Sequence, residues 1–257
     1  MNYKYLKNLT KTSADFYVYG DIVDENVPDW WTGEKSETAV DTNAFKAELD
    51  SLTGVTDFNI YINSGGGSVF ASSAMVSMLK RFRETTGAKI HAYIDGLCAS
   101  AATYLAMVAD DVNIYKNSIM MIHKPATFSY GNAGDLQKDI DTLNTIENDM
   151  MIPMYVEKAK EGVTADEIKK MIADETWLNG NEADPLYIGN YFNVTMHDTA
   201  KAVTACTTDL FRNYKHVPDA LRKPKQIEKS DAVHTLDYSA YENIISSLKM
   251  EGRRNER

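Results

Sequence analysis

Apolar residues at every second position predict the strands of a sheet in the first half of the chain. Phe58, Ile60 and Ile62 alternate with more polar residues, which is typical of a strand with one buried face. Glycine-containing segments after two of the strands, Ser64–Gly67 and Asp95–Ala99, predict tight turns. The predicted strands are Ala14–Gly20, Asp57–Asn63, Lys89–Ile94, Val112–Tyr115 and Ser118–His123.

Apolar residues at helical spacing predict helices between and after these strands. Ala71, Met75 and Leu79 recur at this spacing in one such segment. Strands that alternate with helices are joined by crossovers, so we expect an α/β fold with mostly parallel strands. The predicted helices are Asp41–Leu52, Ser68–Arg83, Ser100–Ala109, Gly134–Lys160 with a kink at Pro153, and Thr164–Ala173.

The regular pattern weakens after about Ala200, which predicts two parts of the chain. We expect one α/β domain in residues 1–200 and a polar, basic extension in residues 201–257, with a helix at Tyr238–Met250. The boundary is expected between Ala200 and Lys215. Three interpretations are open for the basic stretch Arg222–Lys229 and the terminal Arg253, Arg254 and Arg257: binding to an acidic partner, removal by self-cleavage, and a solvated extension.

Composition disfavours several classes of function. The chain of 257 residues has a formal net charge of −10, which argues against nucleic-acid binding, and it lacks an apolar run of membrane-spanning length. Cys98 and Cys206 form neither a disulfide framework nor a metal-ligand cluster, which indicates a reducing compartment. Met1–Thr12 has no apolar core of a secretory signal. We therefore expect a cytoplasmic protein with no metal and no cofactor.

Ser100 is a candidate nucleophile because of its place between a predicted strand and a helix. The following residues, including Ala101 and Ala102, are small, so a helix can begin there. Backbone N–H groups and the helix dipole at such a position favour developing negative charge. The alternative is that Ser100 only caps the helix, since serine is common at that position.

The glycine run Gly65–Gly67 follows a predicted strand, where open α/β sheets usually form their sites. Glycines let a substrate backbone approach closely and leave N–H groups free to donate hydrogen bonds. A phosphate-binding loop would need a lysine after the glycines, and none is present. A plain tight turn is the other interpretation.

His123 is the best-placed of the five histidines to act as a general base. It ends the apolar strand Ile119–Ile122 and precedes a loop. The alternative interpretation is that His123 is an ordinary histidine, hydrogen-bonded to nearby backbone and without a catalytic role. Asp174 and Glu175 follow a predicted helix, and either carboxylate could orient His123, whereas the other would be a solvated charge.

Three segments together resemble the Clp protease proteolytic subunit family. Ile62–Val69 is similar to the family's Ile-Asn-Ser-Pro-Gly-Gly-Ser-Val segment, with Gly65 in place of proline. Gly96–Ala101 resembles its Gly-x-Ala-Ala-Ser-Met segment, and Met121–Pro125 resembles Met-Ile-His-Gln-Pro. The resemblance covers about residues 16–193. It implies an α/β fold of the ClpP/crotonase type, built from repeated β-β-α units with a long handle helix.

The resemblance also implies a role for individual residues. Ser100 takes the nucleophile position, His123 the base position, and Glu175 the third position, where the common family pattern has aspartate; Asp174 remains its rival. The oxyanion would be held by backbone N–H groups of Gly67 and Ala101. We expect an extended substrate to pair as an added strand beside the glycine run, with contacts to Gly65, Gly66 and Ser68.

Two further features resemble the ClpP-type proteases of tailed phages and prophages, namely Asn63–Phe70 and Glu175–Leu178. That likeness implies an ATP-independent serine endopeptidase that trims scaffold or capsid protein in an assembling phage head. It also implies a homo-oligomer, with heptameric rings in many relatives.

Other classes of function stay open. They are a degradative peptidase fed by an ATPase, a non-catalytic ring or assembly protein, and an acyl-CoA enzyme of the crotonase type. Cys98 is interpreted as a small packing residue, and its action as a nucleophile in place of Ser100 is the remaining alternative.

Overall fold

The structure is a computed structural model that describes residues 4–28, 33–198 and 214–218. The predicted helix Tyr238–Met250, the basic stretch Arg222–Lys229 and most of the predicted domain boundary lie outside the described residues, and they stay predictions. The predicted extension begins at residue 201, and five of its residues, 214–218, are described.

The described helices and strands alternate through most of the chain. The strands are β1 (Leu6–Lys7), β2 (Ser13–Tyr19), β3 (Ile22–Val23), β4 (Val40–Asp41), β5 (Asp57–Ser64), β6 (Lys89–Ala99), β7 (Asp111–Tyr115), β8 (Ile119–Ile122), β9 (Thr176–Asn179) and β10 (Thr195–His197). The helices are α1 (Thr42–Asp50), α2 (Val69–Thr86), α3 (Ala102–Met107), α4 (Ala133–Thr145), α5 (Ile152–Lys158) and α6 (Ala165–Ala173), with a π-helical segment at Ile146–Met151 and a 3₁₀ turn at Ile188–Asn190.

A mostly parallel sheet forms the centre of the fold, in the order β1-β2-β5-β6-β7-β10. Neighbours from β2 to β10 run parallel, whereas β1 is antiparallel to β2. The alternating apolar residues of β2 and β5 are buried, and the ring of Phe16 lies 4.8 Å from that of Phe45 on α1. The predicted α/β fold is therefore confirmed.

Strand β6 divides its pairing between two neighbours. Its first half pairs with β7, and Leu97–Ala99 at its end pair with β8. The predicted turn Asp95–Ala99 is thus wrong, because these residues continue the strand and the last three of them, Leu97–Ala99, pair with β8. This branch brings the ends of β5, β6 and β8 to the same edge of the sheet, since all three strands are parallel.

The register of these strands places the candidate site residues side by side. Ala99 is opposite Met121 in the parallel pair of β6 and β8, so Ser100 and His123 both lie just beyond the strand ends. Strand β9 is antiparallel to β8, with Ile122 opposite Thr176. One step further along this register, Glu175 falls opposite His123. The sheet therefore assembles three chain segments that are distant in sequence.

The long predicted helix Gly134–Lys160 is divided into α4, the π-helical segment and α5. Asn132 caps α4 with a capping box that includes Asp135. Pro153 lies in the first turn of α5, directly after the π-helical segment. A wider turn before a proline accommodates the residue that cannot donate a backbone hydrogen bond. The departure from α-helical hydrogen bonding lies in the π-helical segment, which ends at Met151, and the predicted kink at Pro153 stays a prediction.

Candidate active site

Ser100 lies in a strained turn between β6 and α3. Its φ angle is +53°, a left-handed conformation that is unfavourable for a residue with a side chain. Its N–H donates to the Met121 carbonyl at 2.9 Å, and its own carbonyl accepts from the Thr103 hydroxyl at 2.6 Å. The residue at the N-cap of α3 is Ala101, without a side-chain hydrogen bond. The capping interpretation of Ser100 is therefore wrong, and its hydroxyl points elsewhere.

The Ser100 hydroxyl is hydrogen-bonded to His123. The Oγ atom lies 2.8 Å from His123 Nε2, and both side chains are partly exposed. Burial lowers the pKa of His123 from its ordinary value, and the nearby negative charge of Glu175 opposes this effect only in part. His123 is thus neutral near pH 7, the form in which Nε2 can accept a proton when Nδ1 carries the other.

The glycine run, residues 65–67, needs glycine at two positions because side chains would collide with neighbouring backbone. A Cβ atom on Gly66 would lie 2.6 Å from the Ala99 carbonyl oxygen, and one on Gly67 would lie 2.1 Å from that of Ile22. Their φ angles, +94° and +139°, are also unfavourable for other residues. The run is therefore fitted tightly against the turn that carries Ser100.

Two backbone donors beside Ser100 have no acceptor among the described residues. In the glycine run, Gly66 N–H donates to Ser64 Oγ at 3.0 Å, and the flanking groups on either side of Gly67 pair with Ile22. The Gly67 N–H is left without a partner in the described part of the chain, and so is that of Ala101. Pre-placed donors of this kind stabilise an oxyanion in acyl transfer.

The three residues predicted to contact substrate, Gly65, Gly66 and Ser68, line a groove of about 1200 Å³ that also contains Ser100 and His123. Part of their hydrogen-bonding capacity is already used within the chain. Ser68 Oγ caps α2 by accepting from Ala71 N–H at 3.1 Å. Substrate contacts by these three residues stay a prediction.

Glu175 and Asp174 differ sharply in environment. Glu175 is only 8% exposed and has a φ angle of +52°, which turns it inward, whereas Asp174 is exposed at the end of α6. Among the hydrogen bonds of the described residues, none joins the His123 ring to either carboxylate. Glu175 still acts on His123 through its charge, because it raises the pKa of that ring.

Trp177 Nε1 donates to the Glu175 carboxylate at 3.4 Å, and the two shorter hydrogen bonds come from a segment that sequence reasoning missed. This segment, residues 214–218, is here called the C-terminal strap. The Lys215 N–H donates to Oε2 at 3.0 Å and the His216 N–H to Oε1 at 2.6 Å. Tyr214 donates its hydroxyl to the Gly65 carbonyl oxygen. No periodicity marks these residues, and Pro218 is the sole local signal, consistent with an extended segment.

Cys98 and two further histidines take no part in the contact between Ser100 and His123. Cys98 is fully buried, and burial raises the pKa of its thiol, so it is a packing residue. His91 pairs with Asp111 at 2.7 Å on β7, and His197 bonds to Asn113 at 2.8 Å.

Within residues 4–28, 33–198 and 214–218, no group of three or more His, Cys, Asp or Glu side chains could hold a metal ion. None of the helices in these ranges is long and apolar enough to cross a bilayer.

Comparison with known proteins identifies the family. A sequence profile of the Clp protease family matches residues 33–187, a range that contains the glycine run, Ser100, His123 and Glu175. No curated protein matches the chain significantly. The profile covers more than half of the chain, and the strap lies beyond its end. The chain therefore belongs to the Clp protease family, whose members are serine-type peptidases that typically form oligomeric rings and bind protein substrates.

Proposed function

We propose that this protein is an active serine endopeptidase in which Ser100 is the nucleophile, His123 the general base and Glu175 the acidic partner. The observation that carries the proposal is the 2.8 Å hydrogen bond between Ser100 Oγ and His123 Nε2, at a groove that both residues line together with Gly67. A serine is a weak nucleophile until such a base accepts its proton.

The reaction follows from this arrangement. His123 Nε2 accepts the Ser100 hydroxyl proton as Oγ bonds to the carbonyl carbon of the scissile peptide. The carbonyl oxygen becomes an oxyanion held by the N–H groups of Gly67 and Ala101. His123 then gives its proton to the leaving amine as the C–N bond breaks, which leaves an ester on Ser100. A water molecule, deprotonated by His123, hydrolyses the ester and regenerates the serine.

Glu175 favours these reaction steps through its negative charge. His123 becomes positively charged in each tetrahedral step, and a buried carboxylate nearby stabilises that charge. Glu175 is preferred to Asp174 because its side chain is buried and acts on the His123 ring, whereas Asp174 is exposed. Its longer side chain does not hydrogen bond to His123 in this structure, so its contribution is that of a nearby charge.

The groove fits an extended peptide. The glycine run forms one wall and residues 125–128 form part of another. The backbone N–H groups of Ala126, Thr127 and Phe128 have no acceptor among the described residues, so they are available to pair with a substrate strand. Phe128 is fully exposed and offers an apolar contact. We propose that substrate binds as an added strand between the two walls.

We also propose that the protein is a homo-oligomer that meets a second copy through α4. None of the α4 residues is buried within the chain, and its apolar residues Leu136 and Ile140 are 40% and 50% exposed. A helix that exposes an apolar stripe gains stability when a partner covers it. Replacement of Leu136 and Ile140 by aspartate should reduce the native mass measured by light scattering. An unchanged mass would exclude α4 as the contact.

The biological role that we propose is the trimming of scaffold or capsid protein during phage head assembly, without an ATPase. Its support is the likeness of residues 63–70 and 175–178 to phage-encoded relatives. Co-expression with the capsid and scaffold proteins of the same genome should give discrete shortened products that Ser100→Ala abolishes. Complete degradation that requires ATP and an unfoldase would favour the degradative alternative instead.

Covalent labelling tests the enzymatic proposal directly. Intact-mass spectrometry after treatment with a fluorophosphonate should show one adduct on the wild type and none on Ser100→Ala or His123→Ala. The Cys98→Ala variant is the matched control and should react like the wild type, because that thiol is buried. An unlabelled wild type in its assembled form would contradict catalysis and favour a structural role.

A further inference from the structure

The C-terminal strap contacts three parts of the candidate site at once. Its Tyr214 ring lies edge-on to His123 and to Trp177, with ring centroids 5.5 Å apart in each pair. The Tyr214 hydroxyl bonds to the Gly65 carbonyl of the glycine run. The next two residues donate backbone N–H groups to Glu175. The strap thus bridges the oxyanion side and the acidic side of the site.

Glu175 depends on these donors because it is buried. Burial alone raises the pKa of Glu175, since a carboxylate is poorly solvated there. The N–H groups of Lys215 and His216, followed by Trp177 Nε1 and the His123 ring, outweigh that effect and hold the pKa of Glu175 below its ordinary value. Without the strap, two strong donors to the charged carboxylate would be lost.

The strap borders the groove without closing it. Ser100 and His123 remain partly exposed, and both line the open groove together with Tyr214. Val217 is buried, which anchors the segment against the domain. A blocking peptide would instead cover the nucleophile. The contacts therefore fit a part of the catalytic apparatus better than an inhibitor.

We propose that the C-terminal strap is a positioning element of the active site: the Lys215 and His216 backbone N–H groups hold the Glu175 carboxylate beside His123, and Tyr214 holds the glycine run. This inference deepens the proposed serine peptidase function and rests on it. It assigns a role to residues outside the range that the family profile matches. It also means that the site is complete only when this part of the chain is in place.

A proline substitution removes the backbone N–H donor of one residue, and it also restricts the backbone there, so alanine at the same position is its control. His216→Pro eliminates the shorter of the two hydrogen bonds to Glu175, and His216→Ala removes the same side chain but keeps the N–H. We expect fluorophosphonate labelling of the full chain to be about tenfold slower in the proline variant than in the alanine variant, as for loss of a hydrogen bond to a charged group. Equal rates would overturn the proposal.

The same two substitutions, His216→Pro and His216→Ala, made together with Glu175→Gln, distinguish positioning of the Glu175 carboxylate from general destabilisation of the protein. If the strap acts through the carboxylate, proline and alanine at position 216 should label at similar, slow rates once the carboxylate is absent. A tenfold difference that persists in Glu175→Gln would indicate a structural effect and overturn the proposal. A wild type that does not label speaks against the peptidase function itself.

Hydrogen exchange tests the contact without any need for activity or for a folded proline variant. The peptide that contains Lys215 and His216 should exchange slowly in the wild type and at least several-fold faster in Glu175→Ala. Exchange in β5 gives the internal reference, and Asp174→Ala is the matched control that should leave the strap protected. Equal exchange of the strap in wild type and Glu175→Ala would overturn the proposal.

Discussion

The Nε2 atom of His123 lies 2.8 Å from the Oγ atom of Ser100, although 23 positions separate the two residues in the chain. The contact follows from the sheet, because Ala99 and Met121 are register partners in the parallel pair of β6 and β8. Each of the two residues directly follows the last residue of its strand. The pairing of the two strands therefore fixes the points from which both side chains extend.

The pH dependence of labelling should report on His123. Protonated His123 cannot accept the Ser100 proton, so labelling should fall as the pH drops through the His123 pKa. Burial lowers that pKa, and the midpoint should therefore lie below the ordinary value for histidine.

In Glu175→Gln the midpoint should move to lower pH, since the charge that raises the His123 pKa is gone. The maximal labelling rate should drop by about 10²- to 10⁴-fold, as the imidazolium loses its counter-charge. Asp174→Asn should change neither quantity. A midpoint that rises in Glu175→Gln, or a strong loss in Asp174→Asn, would contradict the assignment of Glu175.

The strained backbone at Ser100 should be visible in stability measurements. At φ +53°, glycine avoids the steric cost that alanine keeps, so Ser100→Gly should be more stable to urea than Ser100→Ala by about 1 kcal/mol. Ser77, which is exposed within α2, is the control position. There the alanine variant should be more stable to urea than the glycine variant by about 1 kcal/mol, the reverse of the order at Ser100. If the alanine variant were the more stable one at both positions, strain in the Ser100 backbone would be refuted.

The Gly67 position should tolerate no side chain. A Cβ atom there would lie 2.1 Å from the Ile22 carbonyl oxygen, so the loop must shift and carry the Gly67 N–H away from the oxyanion position. Loss of one such donor should slow labelling by about 10²-fold or more in Gly67→Ala. Gly87→Ala, where space is open at the end of α2, should lower stability but leave the labelling rate unchanged.

A buried carboxylate in the π-helical segment should make Lys124 important for stability. Glu147 is 4% exposed, and its Oε2 atom lies 3.2 Å from the Lys124 ammonium, whereas its Oε1 atom has no partner among the described residues. Lys124→Met should lower the free energy of unfolding by about 2 kcal/mol, since it leaves a buried charge unpaired. Addition of Glu147→Leu should recover most of that loss in urea denaturation; no recovery would refute the pairing.

Local patterns in the sequence were sufficient for most of the strands, whereas Ser100, His123 and the glycine run became the preferred site residues through the resemblance of their segments to family motifs. The reason is that a half-buried strand imposes alternation on adjacent residues, and a tight approach of backbones imposes glycine. Both constraints act within a few residues of the chain, as at Phe58–Ile62 and at Gly66 and Gly67. The α/β fold and the neighbouring positions of Ser100 and His123 beyond two strand ends could therefore be predicted before the structure.

Other features depended on contacts that no local pattern records. The residue pattern left both Asp174 and Glu175 open, and the family resemblance favoured Glu175 with Asp174 as its rival. The antiparallel pairing of β9 with β8 places Glu175, and not Asp174, in a buried position beside His123. The continuation of β6 through Ala99 likewise required a partner strand that begins twenty residues after it, at Ile119. In both cases a hydrogen-bonding partner distant in sequence determines the conformation of the segment.

The strap is the clearest case of what only tertiary structure decided. Its hydrogen bonds to Glu175 use backbone N–H groups, which every residue except proline carries, so the identities of Lys215 and His216 give no sign of the contact. The sequence by itself determined the α/β fold and, through its resemblance to the family motifs, singled out Ser100 and His123 as candidate catalytic residues. The fold determined which of the two carboxylates is buried beside His123 and which backbone groups bond to it, because both depend on burial and on contacts across 40 and 41 residues.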